Sequence, residues 1–507
     1  MAIGIFLVLV AASLMITMQV QPASEVETYK KYLRDRGEKL ELSELVPPPV
    51  AAEDNSAAAV EAAFGKFGSG YEKIPYAMKM LAPGRALIGW SQPEARGYDF
   101  TNSWDEFAAW VEADRPAIEL LHQVLERPKL DFQLVYKPGD KLDFSGLAPM
   151  RRSTKKLEAA AILELHRGDS GAAATNILTV LAMVHRNAGE GLLISHLVRM
   201  AMTADAVTPT WELLQVTNIT DAQLAAVQHG WQQMDFLSDV ENAFVMERAW
   251  SFAEIQRMRA SYEDFRSMAR LGPMTGSASS PSSSGWPGDW DSITEGSRNT
   301  IGALMWRCSW SYSEEFRMLK TDQIVLDAVR MMQTNQSQFY KADYDAMTSR
   351  LSSLGITNVG AAFFHALKIP DFAEDYADLG SNRILRTTLQ FEAARDVVVT
   401  AIALKRFQLE QGQWPEALSD LVPGFLPSVP IDPFDGKPLK YHSNADGTFL
   451  LYSVGEDGVD DGGDPTSTTT AGGSSSLSWQ NPKARDWVWP QPASPAEVQS
   501  FYEHPPK

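Results

Sequence analysis

Cysteine is nearly absent from this chain: Cys308 is the only one in 507 residues. A single thiol excludes an intrachain disulfide and any cysteine-rich zinc site. Its setting in Trp306-Arg307-Cys308-Ser309-Trp310 predicts a buried structural thiol. Basic side chains are also scarce: 45 Lys and Arg face 64 Asp and Glu, leaving a formal charge of -19 and a pI near 4.9. Nucleic-acid phosphates demand a basic footprint, so no nucleic-acid partner is expected. Catalytic signatures are missing as well, with no nucleophile elbow, phosphate loop, dinucleotide fingerprint, HExxH helix or zinc-ligand spacing. That silence weighs against the common enzyme classes, while a site assembled from distant residues would leave no such trace.

What the chain does hold is core material. A composition 44% hydrophobic and 10% aromatic is ample for packed interiors, and the length predicts two to four domains. Met1 to Val20 is an apolar run without a formally charged side chain, about long enough to span a bilayer once. It predicts an uncleaved single-pass anchor (residues 1–20) in a bacterial inner membrane, with the remainder on the periplasmic side; a cleaved signal is the second reading and a buried core helix the third. Lys30, Lys31, Arg34 and Arg36 pull against that orientation. Residues 21–56 then read as a charged juxtamembrane helix and a stiff Pro47-Pro48-Pro49 spacer.

The middle of the chain is helical. In residues 57–271, Trp104 to Trp110 and Ala117 to Leu125 have amphipathic spacing, and Asp131 to Tyr136 suggests a short strand. Leu157, Ala160, Ala161 and Leu165 build one helix, Gly168-Asp169-Ser170-Gly171 breaks it, and Ala174, Ile177, Leu178, Leu181 and Val184 build the next. This is an αα-hairpin similar to a tetratricopeptide pair, without a regular period. Helices follow at Leu192 to Ala206, Asp221 to Met234 (N-cap Thr220) and Val240 to Met258. Residues 272–299 are a Ser-, Gly- and Pro-rich loop. The helical continuation over residues 300–390 covers Ile301 to Met305, Ile324 to Met332 and Tyr340 to Leu351, with a turn at Leu354-Gly355.

Candidate sites in this body are weighed against plainer roles. Trp90, Trp104 and Trp110 could line a sugar or peptide groove, but tryptophans at helical spacing more often form core. His185 and His196 lie about three helical turns apart with a glycine break between them, which speaks against a shared metal. Glu241 and Glu247 could form a catalytic carboxylate pair, against the plainer reading of an exposed helical face.

The most definite local plan is at residues 391–464. Phe391, Ala394, Val397, Val398, Ala401, Leu404 and Phe407 fall on one helical face, and Gly412 ends the helix. After a proline-punctuated approach, Leu439 to His442 and Thr448 to Val454 flank Asn444-Ala445-Asp446-Gly447 as a β-hairpin that must rest on the helix before it. An acidic glycine loop from Gly455 to Asp464 follows. The tail, residues 465–507, begins with low-complexity Thr466 to Ser478 and returns to the body through Trp487-Val488-Trp489-Pro490 as an edge strand.

The series helix, Gly-Gln-Trp-Pro, Ile-Asp-Pro-Phe-Asp-Gly-Lys-Pro-Leu-Lys-Tyr, Phe-Leu-Leu-Tyr-Ser-Val-Gly-Glu-Asp-Gly and an Asp-rich end resembles the C-terminal domain of the major pseudopilin of type II secretion systems. It covers roughly Ala401 to Asp464. The resemblance implies calcium in the acidic loop, with Asp457, Asp460, Asp461 and Asp464 as ligands. Physically, a hard cation wants six to eight oxygens, and this flexible loop packs five carboxylates that would otherwise repel one another. Its spacing is not that of an EF-hand, and the plainer reading is a solvated acidic turn. At the N-terminus the pattern departs from the family: the run after Gly4, Ile5-Phe6-Leu7-Val8-Leu9, has no glutamate at its fifth position, where prepilins carry one. The whole arrangement resembles a family of membrane-anchored bacterial envelope proteins with no assigned activity.

The expected fold class is therefore mainly α, a solenoid-like body of α-hairpins with a small C-terminal α+β pseudopilin-like module. The expected function is non-catalytic binding or scaffolding at the cell envelope, with an envelope protein as partner. The alternatives are an envelope-polymer hydrolase with two acids in a helical cleft and an accessory of a secretion system.

Overall fold

The computed structural model describes residues 22–68, 73–139, 142–265, 306–307, 311–334, 340–353, 381–466 and 484–504. The expectations for Met1 to Val20, Cys308, Gly272 to Asn299, Ile301 to Met305, Leu354-Gly355 and most of Thr466 to Ser478 lie outside the described residues. Among the described residues no helix is long and apolar enough to cross a membrane. The reading of a single-pass protein anchored in an inner membrane is corrected accordingly.

The protein is mainly helical, with three small sheets among the described residues. The expected αα-hairpin is present as α5 (Leu147–His166) and α6 (Ser170–Arg186). Gly168 supplies the left-handed backbone of the turn at φ +78°, and the Asp169 carboxylate accepts from Ala172 N at 2.9 Å to start the second helix. Helix α7 (Leu193–Leu213) packs on both. Helix α8 (Asp221–Gln232) opens with Thr220 and Gln223 capping each other's backbone, and α9 (Phe236–Ala260) follows.

Two further helices, α10 (Ser311–Thr334) and α11 (Tyr340–Ser353), pack together, with α10 also against α9. The long α12 (Ser381–Gln411) runs past α7, α8 and α9 and ends at Gly412, φ +75°. It links two cores. One gathers Val397, Ile402 and Leu404 with the interior of the α5–α8 body, and the other joins Leu385 and Leu389 to Val325, Val329 and Trp487. Full burial of such a side chain contributes about 1.5–3 kcal/mol.

Residues 22–35 form helix α1, as the charged N-terminal segment predicts. It is docked on the body: Val26 and Leu33 are fully buried, and Val26 packs with Phe252 of α9 and Leu319 of α10. Lys30 pairs at 2.7 Å with buried Glu315, which Arg259 also reaches at 2.5 Å. Just after α1, Glu38 is fastened by Arg248, Gln323 and Arg330. Fixed on α9 and α10 in this way, the segment is part of the body up to Leu42.

The region between α1 and α5 contains α2 (Ala57–Phe64), α3 (Trp104–Ala113) and α4 (Arg115–His122). It also holds short strands that no sequence pattern announced: β1 (Lys79–Ala82), β2 (Arg85–Leu87), β3 (Ala95–Arg96) and β4 (Thr101–Asn102). Asp131 to Tyr136, expected as a strand, is irregular. Strand β2 pairs in parallel with β8 (Gln491–Pro492) near the C-terminus, Arg85 opposite Gln491. A buried carboxylate holds this region on α7. Glu212 accepts Met78 N at 2.7 Å and Gly89 N at 2.9 Å, while Trp90 Nε1 donates to its carbonyl at 3.2 Å. Met78 sits at φ +46°, and a Cβ at Gly89 would lie 1.9 Å from the Tyr76 carbonyl oxygen.

Candidate functional site

The acidic loop stands on a small platform whose parts are fixed by local chemistry. After α12, Leu418, Leu421 and Leu426 pack in the core shared with Val398 and Ala401. Strand β5 (Lys440–Ser443) pairs antiparallel with β6 (Phe449–Ser453), Tyr441 opposite Leu451. The link is tight: Asn444 N donates to Thr448 O at 2.8 Å, Thr448 N to Asp446 Oδ1 at 3.0 Å, and Gly447 takes φ +82°. Phe449 and Leu451 pack in the same core as Leu404, so the hairpin rests on the helix as its apolar face requires. Strand β7 (Trp487–Val488) adds to β6 on the other side, the edge strand expected of the tail.

The Asp432-Pro433-Phe434-Asp435-Gly436 turn locks the base of the loop. Asp432, fully buried, accepts Phe434 N at 3.0 Å through one oxygen and Val454 N at 2.8 Å through the other. Burial pushes its pKa up to about 6 against these hydrogen bonds. Asp432 thus ties the turn to the last residue before the loop.

From Gly455 the chain winds around a second buried carboxylate, Asp486. It accepts Gly463 N at 2.8 Å and Asp464 N at 3.0 Å, and its own N–H returns to Asp464 O at 3.0 Å. Gly455, Gly458, Gly462 and Gly463 all adopt positive φ, the backbone such winding needs. Burial, with the Asp460 charge adding to it, raises Asp486 to about 6. Asp486 was not among the residues the sequence singled out. Its only local signal is a lone acid immediately before the β7 tryptophan.

The four predicted ligands lie on this loop in different settings. Asp457 is exposed and accepts Val459 N at 3.0 Å. Asp460, also exposed, accepts from the Tyr452 hydroxyl at 3.0 Å and from Gly462 N at 3.1 Å. Asp461 and Asp464 are half-buried and share one cation, Arg485, at 3.4 and 3.5 Å. Glu456 turns the other way, to Arg386 and Gln390 of α12. Among the described residues no three acidic, histidine or cysteine side chains converge closely enough to hold a metal. The structure thus brings Asp461 and Asp464 to a common arginine, and leaves Asp457 and Asp460 facing solvent.

The other candidates separate. Trp104 is buried and stacked on His166 at 3.8 Å, and Lys156 covers Trp110 at 4.0 Å. His185 is exposed, while buried His196 meets Thr388 Oγ1 at 3.0 Å, so the two histidines do not form a pair. Glu241 is held by Arg330 at 2.6 Å, and burial raises Glu247 to about 7.

Buried acids with raised pKa values are a hallmark of catalytic sites. Here Glu212 reaches about 8 and Glu392 about 7, both through burial. Glu212 is occupied by the two N–H groups named above. Glu392 accepts Leu237 N at 3.1 Å and pairs with Arg395 at 2.6 Å, fastening the start of α9 to α12. Both carboxylates serve to join elements. No family model matches the sequence, and neither a curated protein nor a solved structure matches it.

Proposed function

We propose that this chain is a non-catalytic binding or scaffolding protein: a helical, solenoid-like body carrying a pseudopilin-like C-terminal module whose acidic loop takes calcium. One observation carries the reading. The loop backbone is fixed by buried Asp486 while the carboxylates of Asp457 and Asp460 remain in solvent. Those of Asp461 and Asp464 are held by an exposed arginine, with Asp464 also accepting Thr466 N at 3.0 Å. Calcium accepts irregular sets of six to eight oxygens, including loop carbonyls. A cation would compete with Arg485 for Asp461 and Asp464 and draw Asp460 inward. The ordered loop would then offer a fixed surface to a protein partner.

Calorimetric titration of the full chain with calcium, and with magnesium as a control, tests this. Binding is expected for calcium and not for magnesium, and the Asp460→Asn/Asp464→Asn double variant should lose it. At a hundredfold excess over Kd, calcium should add about 2.7 kcal/mol of stability. No heat and an unchanged melting temperature in saturating calcium would refute the proposal.

A further inference from the structure

Residues 484–493 lie against the body the way a bound peptide lies in its receptor. The segment begins beside the end of the acidic loop: Arg485 N donates to Thr466 O at 2.9 Å, so the points that flank residues 467–483 meet at one hydrogen bond. From there it crosses two sheets. Strand β7 pairs with β6, Trp487 opposite Ser453, and Trp489 N donates to Leu451 O at 2.9 Å. Further on, Gln491 N donates to Gly84 O at 3.0 Å and Ala493 N to Ala86 O at 2.7 Å, along the edge of β2. Side chains fasten the passage between the sheets: Trp211 Nε1 of α7 donates to Pro490 O at 2.9 Å, and Gln491 Nε2 to Phe449 O at 2.8 Å. Two tryptophans anchor the segment. Trp487 is fully buried and edge-on to Phe434 at 5.1 Å, in the core of Leu385 and Leu389, and a Cβ at Gly455 would come within 3.2 Å of its ring nitrogen. Trp489, also buried, belongs to the other core, with Leu404 and Leu451.

We infer that the channel running from β6 to β2 is a binding site for an extended strand of the pattern Asp-Trp-Val-Trp-Pro-Gln, and that it accepts this segment, Asp486 to Gln491, from a second copy of the chain as well as from its own. Strand addition draws affinity from main-chain hydrogen bonds and specificity from pockets for particular side chains, and both are present. Asp486 accepts Gly463 N and Asp464 N, and the two tryptophans fill separate cores. Pro490 lends its carbonyl to Trp211, and Gln491 reaches back to the β6 backbone. A second copy carries the identical segment on the identical link. Extended, residues 467–483 reach about 3.3 Å each, far more than the single hydrogen bond they have to bridge. The link therefore supplies proximity, an effective concentration on the order of 1 mM. While it is intact, the chain's own segment excludes a free one at micromolar concentration; once it is cut, the two compete as equals. None of these contacts requires a cation, so the inference does not depend on calcium.

The test uses the full chain with a specific protease site inserted between Gly472 and Gly473, and a labelled peptide of residues 484–504. After cleavage the protein should keep its tail through gel filtration. Labelled peptide in tenfold excess should then replace the tail in about nine-tenths of the molecules, as mass action requires of identical competitors. The same peptide carrying Trp489→Ala should compete about tenfold less well, a comparison that leaves the protein itself unaltered. Before cleavage, micromolar peptide should leave the tail in place. A cleaved chain that releases its tail and binds no peptide would overturn the inference, as would a tail that is retained but never exchanges, even in mild urea. Equal competition by the wild-type and Trp489→Ala peptides would overturn it too, and so would equal uptake of peptide before and after cleavage, which would place the peptide outside the channel.

Discussion

Removing the Glu38 carboxylate should loosen the whole N-terminal segment. Glu38 is 8% exposed and faces Arg248 at 2.9 Å, Gln323 at 2.9 Å and Arg330 at 3.2 Å. Burial alone would raise its pKa, but the hydrogen bonds from Arg330, Arg248 and Gln323 prevail and hold it at about 2, against 4.5 for a free glutamate. That difference corresponds to about 3 kcal/mol of preference for the charged form in the folded state. Because the folded pKa is depressed, the contribution is complete above pH 4.5 and declines as pH falls toward 2. Arg248 is almost fully buried, so Glu38→Ala leaves its guanidinium with only Gln323 and the Lys39 carbonyl as partners.

Stranding a buried charge in this way costs about 3–5 kcal/mol. Glu38→Gln, which keeps the shape and loses the charge, should cost about half as much at pH 7. The assay is urea unfolding at pH 7 and pH 3, with limited proteolysis at residues 22–45 to locate the opening. Glu38→Ala should expose this segment first, and the gap between wild type and Glu38→Gln should shrink at pH 3. A Glu38→Ala protein within 0.5 kcal/mol of wild type at pH 7, or a gap equal at both pH values, would show that the network carries no such energy.

Two other positions give sharp expectations. Glu212 is raised to about 8 by burial, so the folded state holds its proton more tightly than the unfolded chain does. Stability should therefore fall as pH rises from about 4.5 to 8, and urea midpoints of Glu212→Gln should lack that part of the slope. At Gly89 a methyl group would collide with the Tyr76 backbone at 1.9 Å. Gly89→Ala should cost about 3 kcal/mol, seen as a lower thermal midpoint, whereas Gly424→Ala, where a Cβ meets nothing within 4 Å, should not.

The elements readable in the sequence were those written in local chemistry. The stop at Gly412, the Thr220 cap, the Asp169 turn and the Asn-Ala-Asp-Gly link each depend on residues a few positions apart, and each lies where expected. Strands of two to four residues, such as β2 and β3, carry no alternation to read, and the second edge of β2 is paired, among the described residues, only by Gln491 and Pro492, far along the chain. Glu212 and Asp486 were illegible for a related reason. Their partners are backbone N–H groups, which every residue possesses, so nothing in the side-chain pattern points to them. Asp131 to Tyr136 had strand composition but no neighbouring strand to pair with among the described residues. The acidic run was visible as a loop, while the division of labour among its carboxylates depended on Arg485, which enters from the tail.

The parallel register of Arg85 with Gln491, reinforced by the Arg85–Glu497 ion pair across 412 residues, sets a timetable for synthesis. A ribosome adding 5–20 residues per second needs about 20–80 s to cover that distance. Throughout that interval β2 has emerged with one edge unsatisfied, while the helical hairpins behind it can already fold. The nascent β1–β2 ribbon is thus the stretch most open to wrong strand partners, and the emergence of residues 491–497 is the event that closes it.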